Sequence, residues 1–207
     1  MQKRARTDSS KEHRKQFILD CAEQLITEDG LPNFNLNKVS KRTKLAVGTI
    51  YLYFSSKEDI IAHLTIKSRQ LLLEKFKVHT SQVENPLDKI EALLMGFYLF
   101  YKEKPFYNQL VSFYETNVGL EETEELIASS SHINQFVMDI IQDGKKQNLI
   151  RNDVQEGLFS FMLWGTAIGI IQLIEVKATR LEDTLGMSEI DFYSSYISLI
   201  INSLVNK

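Results

Sequence analysis

A chain of 207 residues with a net charge of −3, 43% apolar and 25% charged side chains, has enough apolar surface to bury a core and too much to remain disordered. Its single cysteine, Cys21, excludes an internal disulfide and a multi-cysteine zinc site, and three prolines and nine glycines without alternating β-branched runs leave little room for strands. The expectation is an all-α protein of about nine helices in a reducing, cytoplasmic setting, because residues 1–15 are charged and lack the apolar centre of an export signal.

Charge is unevenly placed. Residues 1–60 hold 11 basic and 8 acidic side chains, a net of +3, and the rest of the chain carries a net of −6. Lys3, Arg4, Arg6, Lys11, Arg14 and Lys15 stand against only Asp8 and Glu12. Such an arm suits phosphates, although a solvated terminus has the same composition. From about Ser10 to Asp29, Phe17, Ile18, Cys21, Ala22, Leu25 and Ile26 fall on one helical stripe that ends at Gly30. The loop 31–35 follows, with Asn35 able to cap a short helix carrying Leu36 and Val39. A tight turn is expected at 44–46, a third short helix over about 47–54, and a long fourth helix reaching about Val78, capped by Ser55-Ser56 with Glu58 and Asp59 in its first turn.

Two short helices split by a turn, behind a supporting amphipathic helix, are the arrangement of a helix-turn-helix, in which the first two helices fix a third that enters the major groove. Leu36, Val39, Leu45, Ile50 and Phe54 supply the buried side, Ile50 and Phe54 at a spacing of one helical turn. The opposite face carries Thr49, Tyr51, Leu52 and Tyr53. Gly48 permits close approach of the backbone to a duplex. Thr49, Tyr51, Tyr53 and Lys57 suit phosphate oxygens, and Val47 and Leu52 suit apolar contacts such as the thymine methyl. Asn35, Asn37, Lys38 and Ala46 complete the candidate DNA-binding set. The motif spans about residues 35–54 within a DNA-binding domain over 1–70.

This segment, Val47-Gly48-Thr49-Ile50-Tyr51-Leu52-Tyr53-Phe54 followed by Ser56-Lys57-Glu58, resembles the TetR family of bacterial regulators, with similarity over about residues 11–70. Ser40, Thr43 and Lys44 depart from the family's frequent alanine in the second helix and glycine in the turn, and Ala46 from its common capping hydroxyl. The resemblance implies a homeodomain-like three-helix module, a helical ligand-binding and dimerisation domain over 71–207, and ligand-responsive repression from a palindromic operator.

Further along, Asn85-Pro86 reads as a cap and first helical residue, the helix stays apolar to Tyr101, and Pro105 ends it and begins another. Eight of the 21 aromatic residues lie between Phe97 and Tyr114. Phe97, Tyr98, Tyr101, Tyr107, Phe113 and Tyr114, with His132 and Trp164, are the candidate ligand-binding residues for a hydrophobic or aromatic effector, and Glu115 is a candidate for its polar end. Ordinary helix packing uses the same residue types. Three more helical stretches fall at 121–147, 153 to about 180 and 188–206, with Asp153 and Ser188 as caps.

Residues 157–174 contain no charge and touch the lower length limit of a membrane span, yet Ser160, Thr166 and Gln172 interrupt them, Glu156 and Glu175 flank them, and no basic cluster adjoins. A buried helix covered on its second face by another copy of the chain is the preferred reading. Phe161, Gly165, Ile168 and Gly169 on this helix, with Tyr193, Tyr196, Ile197, Ile200 and Leu204 on the last, are the candidate dimer contacts. No metalloprotease helix, phosphate-binding glycine loop or dinucleotide fingerprint is present, and Cys21 lies on an apolar stripe, so neither enzyme, metal nor cofactor is expected. The alternative function is a helical DNA-binding protein with no small-molecule ligand.

Overall fold

A computed structural model describes the backbone of residues 2–116 and 122–206 and the side chains of 10–114 and 122–206. The described residues form nine α-helices: α1 (Gln2–Asp29), α2 (Leu36–Thr43), α3 (Val47–Ile50), α4 (Lys57–Thr80), α5 (Pro86–Glu103), α6 (Pro105–Thr116), α7 (Glu124–Lys146), α8 (Glu156–Leu185) and α9 (Glu189–Leu204). One antiparallel bridge, Ile150 with Val205, is the β-type pairing among them. The chain divides into two compact units, one comprising Met1–Ser68 with Phe106–Leu126 and the other Arg69–Pro105 with Ile127–Lys207. The division falls inside α4, between Ser68 and Arg69, and the segment Phe106–Leu126 belongs to the first unit.

In the first unit, Ile18, Ala22, Leu25 and Ile26 of α1 are buried along one stripe, and Val39, Ile50, Phe54 and Ile60 complete the small core. Helix α1 starts eight residues before the expected Ser10, since no proline or glycine stands between residues 2 and 9 to stop it. Gly30, with φ of 79°, turns the chain out of α1 in a conformation that disfavours a side chain. Two ion pairs fasten the end of α1 to α2, Lys38 Nζ to Asp29 Oδ2 at 2.6 Å and the Arg42 guanidinium in a two-pronged contact with Glu28.

The second unit is built on α5, α8 and α9. Asn85 Oδ1 accepts from Leu87 N at 2.8 Å, with Pro86 as the first helical residue. Ser188 caps α9. Asp153, expected to cap α8, instead pairs with Arg151 in the preceding turn at 3.2 Å; the helix begins at Glu156, which Lys145 Nζ holds at 2.8 Å. Tyr193 is fully buried because its hydroxyl donates to the Leu94 carbonyl at 3.0 Å, and its ring stacks on Tyr98.

Candidate functional site

The turn between α2 and α3 explains how three departures from the family pattern work together. Lys44 sits at φ 58°, ψ 24°, the left-handed conformation that glycine adopts without strain. Two hydroxyls stitch the chain around it. Ser40 Oγ donates to the Leu45 carbonyl at 2.6 Å, while Thr43 Oγ1 donates to Val39 O at 2.8 Å and accepts from Leu45 N at 3.3 Å. Helix α3 starts on the Ala46 carbonyl, to which Thr49 N donates at 2.8 Å, without a side-chain cap. Its α-helical part ends at Ile50, and tight bonds from Leu52 N to Thr49 O and from Tyr53 N to Ile50 O carry it on to Phe54.

This geometry sorts the motif into two sides. Ile50 and Phe54 are buried, whereas Tyr51 is 54% and Leu52 74% exposed. Ala46 and Gly48 are exposed, and Val47, Thr49 and Tyr53 are half-buried. Among the described residues nothing outside the local helix backbone and its chain neighbours lies within 4 Å of a Cβ placed on Gly48, so the open surface there is backbone. Asn37 is exposed, but Asn35 is occupied as the cap of α2, its Oδ1 accepting from Lys38 N at 3.0 Å, and Lys38 is engaged by Asp29. Lys41 and Lys44, which lie outside the candidate DNA-binding set, are exposed at the turn; the cluster of four cations over 38–44 was the available signal. The start of α4 is fixed by a reciprocal cap in which Asp59 N donates to Ser56 Oγ at 3.1 Å and Ser55 N donates to Asp59 Oδ2 at 2.7 Å. Half-buried Lys57 stands in that first turn.

Within the second unit an interior cavity of about 20 Å³, room for one water, lies among α4, α5, α7 and α8. Phe97 and Trp164, both candidate ligand residues, line it with ring centroids 5.7 Å apart. Its polar group is a pair, Ser160 Oγ to Asn134 Oδ1 at 3.0 Å. The other candidates lie elsewhere. Tyr98 packs on Tyr193, and Tyr101 is buried, its hydroxyl pushed up to about 12 by burial and by Glu175. Tyr107, Phe113 and Tyr114 belong to the first unit, where Tyr107 Oη donates to Glu23 Oε1 at 2.8 Å and Tyr114 Oη to the Glu58 carbonyl at 3.0 Å. His132 is exposed, and its neighbours Ile133 and Asn134 face the cavity instead. The side chain of Glu115 lies outside the described residues. Phe76, Leu163 and Ala167 also line the cavity; the spacing Ser160, Leu163, Trp164, Ala167 is the helical stripe that marks it in the sequence.

Helix α8 is long and apolar enough to cross a membrane by length and composition, and a third of its most apolar stretch is buried. Leu163, Ala167, Ile171 and Ile174 face the interior. Leu158, Phe161, Met162, Gly165, Gly169, Leu173 and Val176 are exposed along the other side, and among the described residues nothing outside the local helix backbone lies within 4 Å of a Cβ placed on either glycine. The candidate dimer residues divide accordingly: Phe161, Gly165 and Gly169 are exposed and Ile200 half-buried, but Ile168, Tyr193, Tyr196, Ile197 and Leu204 are interior to this chain. Tyr196 is anchored there by a 2.9 Å hydrogen bond with Thr166. Leu158, Met162, Val176 and Leu199 are exposed apolar residues that sequence reasoning missed.

Residues 18–64, which hold the whole of α2 and α3, match the family described as bacterial regulatory proteins, tetR family. Over these residues the chain matches the tetR family. It is 30% identical over 77 residues to the fatty acid metabolism regulator protein of Bacillus subtilis (strain 168), an alignment covering 37% of this chain and 40% of that protein. The chain thus spans about two fifths of the length of that relative. Over the full length it is similar in fold to solved structures. FadR from Bacillus subtilis, solved in complex with stearoyl-CoA, matches with a TM-score of 0.71 at 18% identity over 90% of this chain and 97% of that one. AibR, solved with isovaleryl coenzyme A and operator DNA, matches with a TM-score of 0.66 at 15% identity, again over 90% and 97%. An N-terminal helix-turn-helix followed by a helical C-terminal domain is the architecture these tetR-family structures share.

Proposed function

We propose that this protein is a cytoplasmic, homodimeric transcriptional repressor that binds a palindromic DNA operator through α3 and is released from it by a small apolar effector. The observation that carries DNA binding is the contrast along four consecutive positions: Ile50 and Tyr51, 0% and 54% exposed, then Leu52 at 74% and Tyr53 half-buried. A large apolar side chain held outward on a rigid short helix, beside phenol hydroxyls and Lys57, suits a thymine methyl between two phosphate rows. The test is fluorescence anisotropy on the intergenic DNA beside the gene. Leu52→Ala should keep its fold and lose operator preference, whereas Lys57→Ala should weaken binding to every duplex and flatten its salt dependence by about one unit per site. Wild-type protein that binds no duplex at low salt would refute the reading.

In this reading the second copy covers the exposed apolar side of α8. Two recognition helices must lie about 34 Å apart to enter successive major grooves, which a symmetric pair achieves on a palindrome. Apolar residues flanking two open glycines suit close approach of two helices, and a soluble protein covers such a stripe with protein.

For the effector we infer an extended apolar group such as an acyl chain, the class carried by the stearoyl-CoA and isovaleryl coenzyme A of the FadR and AibR structures. A cavity of about 20 Å³ cannot hold such a group, so the effector must bind a form in which the helices around Phe97 and Trp164 have parted. It can weaken DNA binding only by its preference for that form. Acyl-CoA should lower operator affinity and change the emission of Trp164, the single tryptophan; an unchanged affinity across chain lengths overturns this part. The small cavity also favours a second reading, a helical DNA-binding protein without a ligand. Thermal shift against acyl thioesters and aromatic compounds separates the two, since a sensor is stabilised by what it binds.

A further inference from the structure

We infer that the N-terminal turns of α1 form a second DNA-binding surface, gripping phosphates of the duplex that flanks the bases under α3; this rests on the DNA-binding reading above. Among the described side chains of α1 the first buried one is Ile18, and the helical backbone runs from Gln2 to that point. At 1.5 Å per residue that is about 24 Å, twice the width of a major groove.

The face of this projection is set by the helical register. At 3.6 residues per turn, Lys11, Arg14 and Lys15 fall within about 100° of arc, the same arc on which Ile18, Ala22 and Leu25 are buried further along. Where the helix leaves its core, its inward stripe changes from apolar to cationic. Glu12 stands on the adjoining flank.

Lys15 shows which neighbour this stripe meets. Its Nζ lies 5.7 Å from the centre of the Phe54 ring, a cation over the aromatic residue that closes the α3 segment. Lys11 and Arg14 are exposed, and among the described residues neither has an ion pair. By contrast, Lys38 and Arg42 at the other end of α1 are held by Asp29 and Glu28. Lys11, Arg14 and Lys15 thus stand on the stripe that leads to α3. A partner that presents regularly spaced negative charge beside α3 is duplex DNA.

The test compares two double variants with the same change in net charge, Lys11→Gln/Arg14→Gln on α1 and Lys146→Gln/Arg151→Gln in the second unit, in the full-length protein. Affinity for a mixed-sequence duplex is measured as a function of salt. Each phosphate contact contributes about 0.9 to the log–log slope. The α1 variant should lose about two units of slope per bound protomer and the control none, with unchanged thermal midpoints for both. If the two variants share the wild-type slope while wild-type protein binds the duplex, the α1 surface is a solvated terminus and only this inference falls. If wild-type protein binds no duplex, the DNA-binding reading falls and takes this one with it.

Discussion

Glu23 on α1 accepts a 2.8 Å hydrogen bond from Tyr107 on α6, two residues 84 positions apart in the chain. The other carboxylate oxygen of Glu23 ion-pairs with Lys67 on α4 at 2.6 Å. One carboxylate therefore ties three helices of the first unit, and Tyr107 is 2% exposed. Tyr107→Phe keeps the ring and removes the bond. A hydrogen bond to a charged acceptor contributes about 1.5–3 kcal/mol, and partial exposure of Glu23 puts the expected loss near the lower end, about 1.5 kcal/mol. Urea denaturation of Tyr107→Phe, Glu23→Gln and the double variant measures it. Additive losses would show that the two residues do not interact.

Lys44 is held left-handed at φ 58°. That conformation costs a residue with a side chain about 1–2 kcal/mol, and glycine relieves it while gaining about 0.4–1 kcal/mol of unfolded-chain entropy. Lys44→Gly should accordingly stabilise the protein by about 0.5–1 kcal/mol. Ser40→Ala should do the reverse by a similar amount, because it removes the donor to the Leu45 carbonyl. A Lys44→Gly variant with a lowered urea midpoint would mean that the lysine side chain stabilises the turn by more than its strain costs.

The turn was legible in the sequence because everything that makes it lies within a few residues: an Asn cap, a hydroxyl at 40 and another at 43, and the apolar pair Ile50 and Phe54. Tyr107 was legible as a buried aromatic but not as part of the first unit, since helical periodicity says which side of α6 is apolar and nothing about which helix covers it. The same gap left the candidate dimer residues of α8 and α9 divided between buried and exposed positions. Tyr193 and Tyr196 read as surplus apolar surface, yet the Leu94 carbonyl and Thr166 satisfy their hydroxyls and let the chain bury them itself. The residues left outside, Leu158, Met162 and Val176, share α8 with the interior stripe, and a helix apolar on all sides gives no register to tell them apart.

Buried phenols set the response to alkali. Tyr101 is pushed up to about 12 by burial and Glu175, Tyr107 is raised further by burial and its bond to Glu23, and Tyr193, Tyr98 and Tyr196 are raised by burial. An unfolded tyrosine loses its proton near pH 10. Above that point the unfolded chain binds fewer protons than the folded one, so the stability these groups contribute is complete below about pH 10 and declines as pH rises toward and past 12. Urea midpoints should hold steady from about pH 8 to 9 and fall by about pH 11. Tyrosinate absorbance should rise in the same transition as helix is lost; full ionisation of the tyrosines with the helices intact would contradict their burial.

Phe161 projects from α8 at 67% exposure, one turn before Gly165. If a second copy covers this side, Phe161→Glu buries two like charges close to the two-fold axis and leaves them unpaired, a change that costs several kcal/mol of association. Within one chain the same substitution is at an exposed position and should change folding stability by less than about 0.5 kcal/mol. Sedimentation equilibrium should therefore find wild-type protein as a dimer and Phe161→Glu as a monomer with an unaltered helical spectrum. Binding to a palindromic duplex should weaken with it, because a monomer engages one half-site and loses the second contact held at high effective concentration. Ile197→Glu serves as the contrast. Ile197 is 3% exposed inside the single chain, so this variant should lose stability outright, and a folded monomer from it would return α9 to the interface.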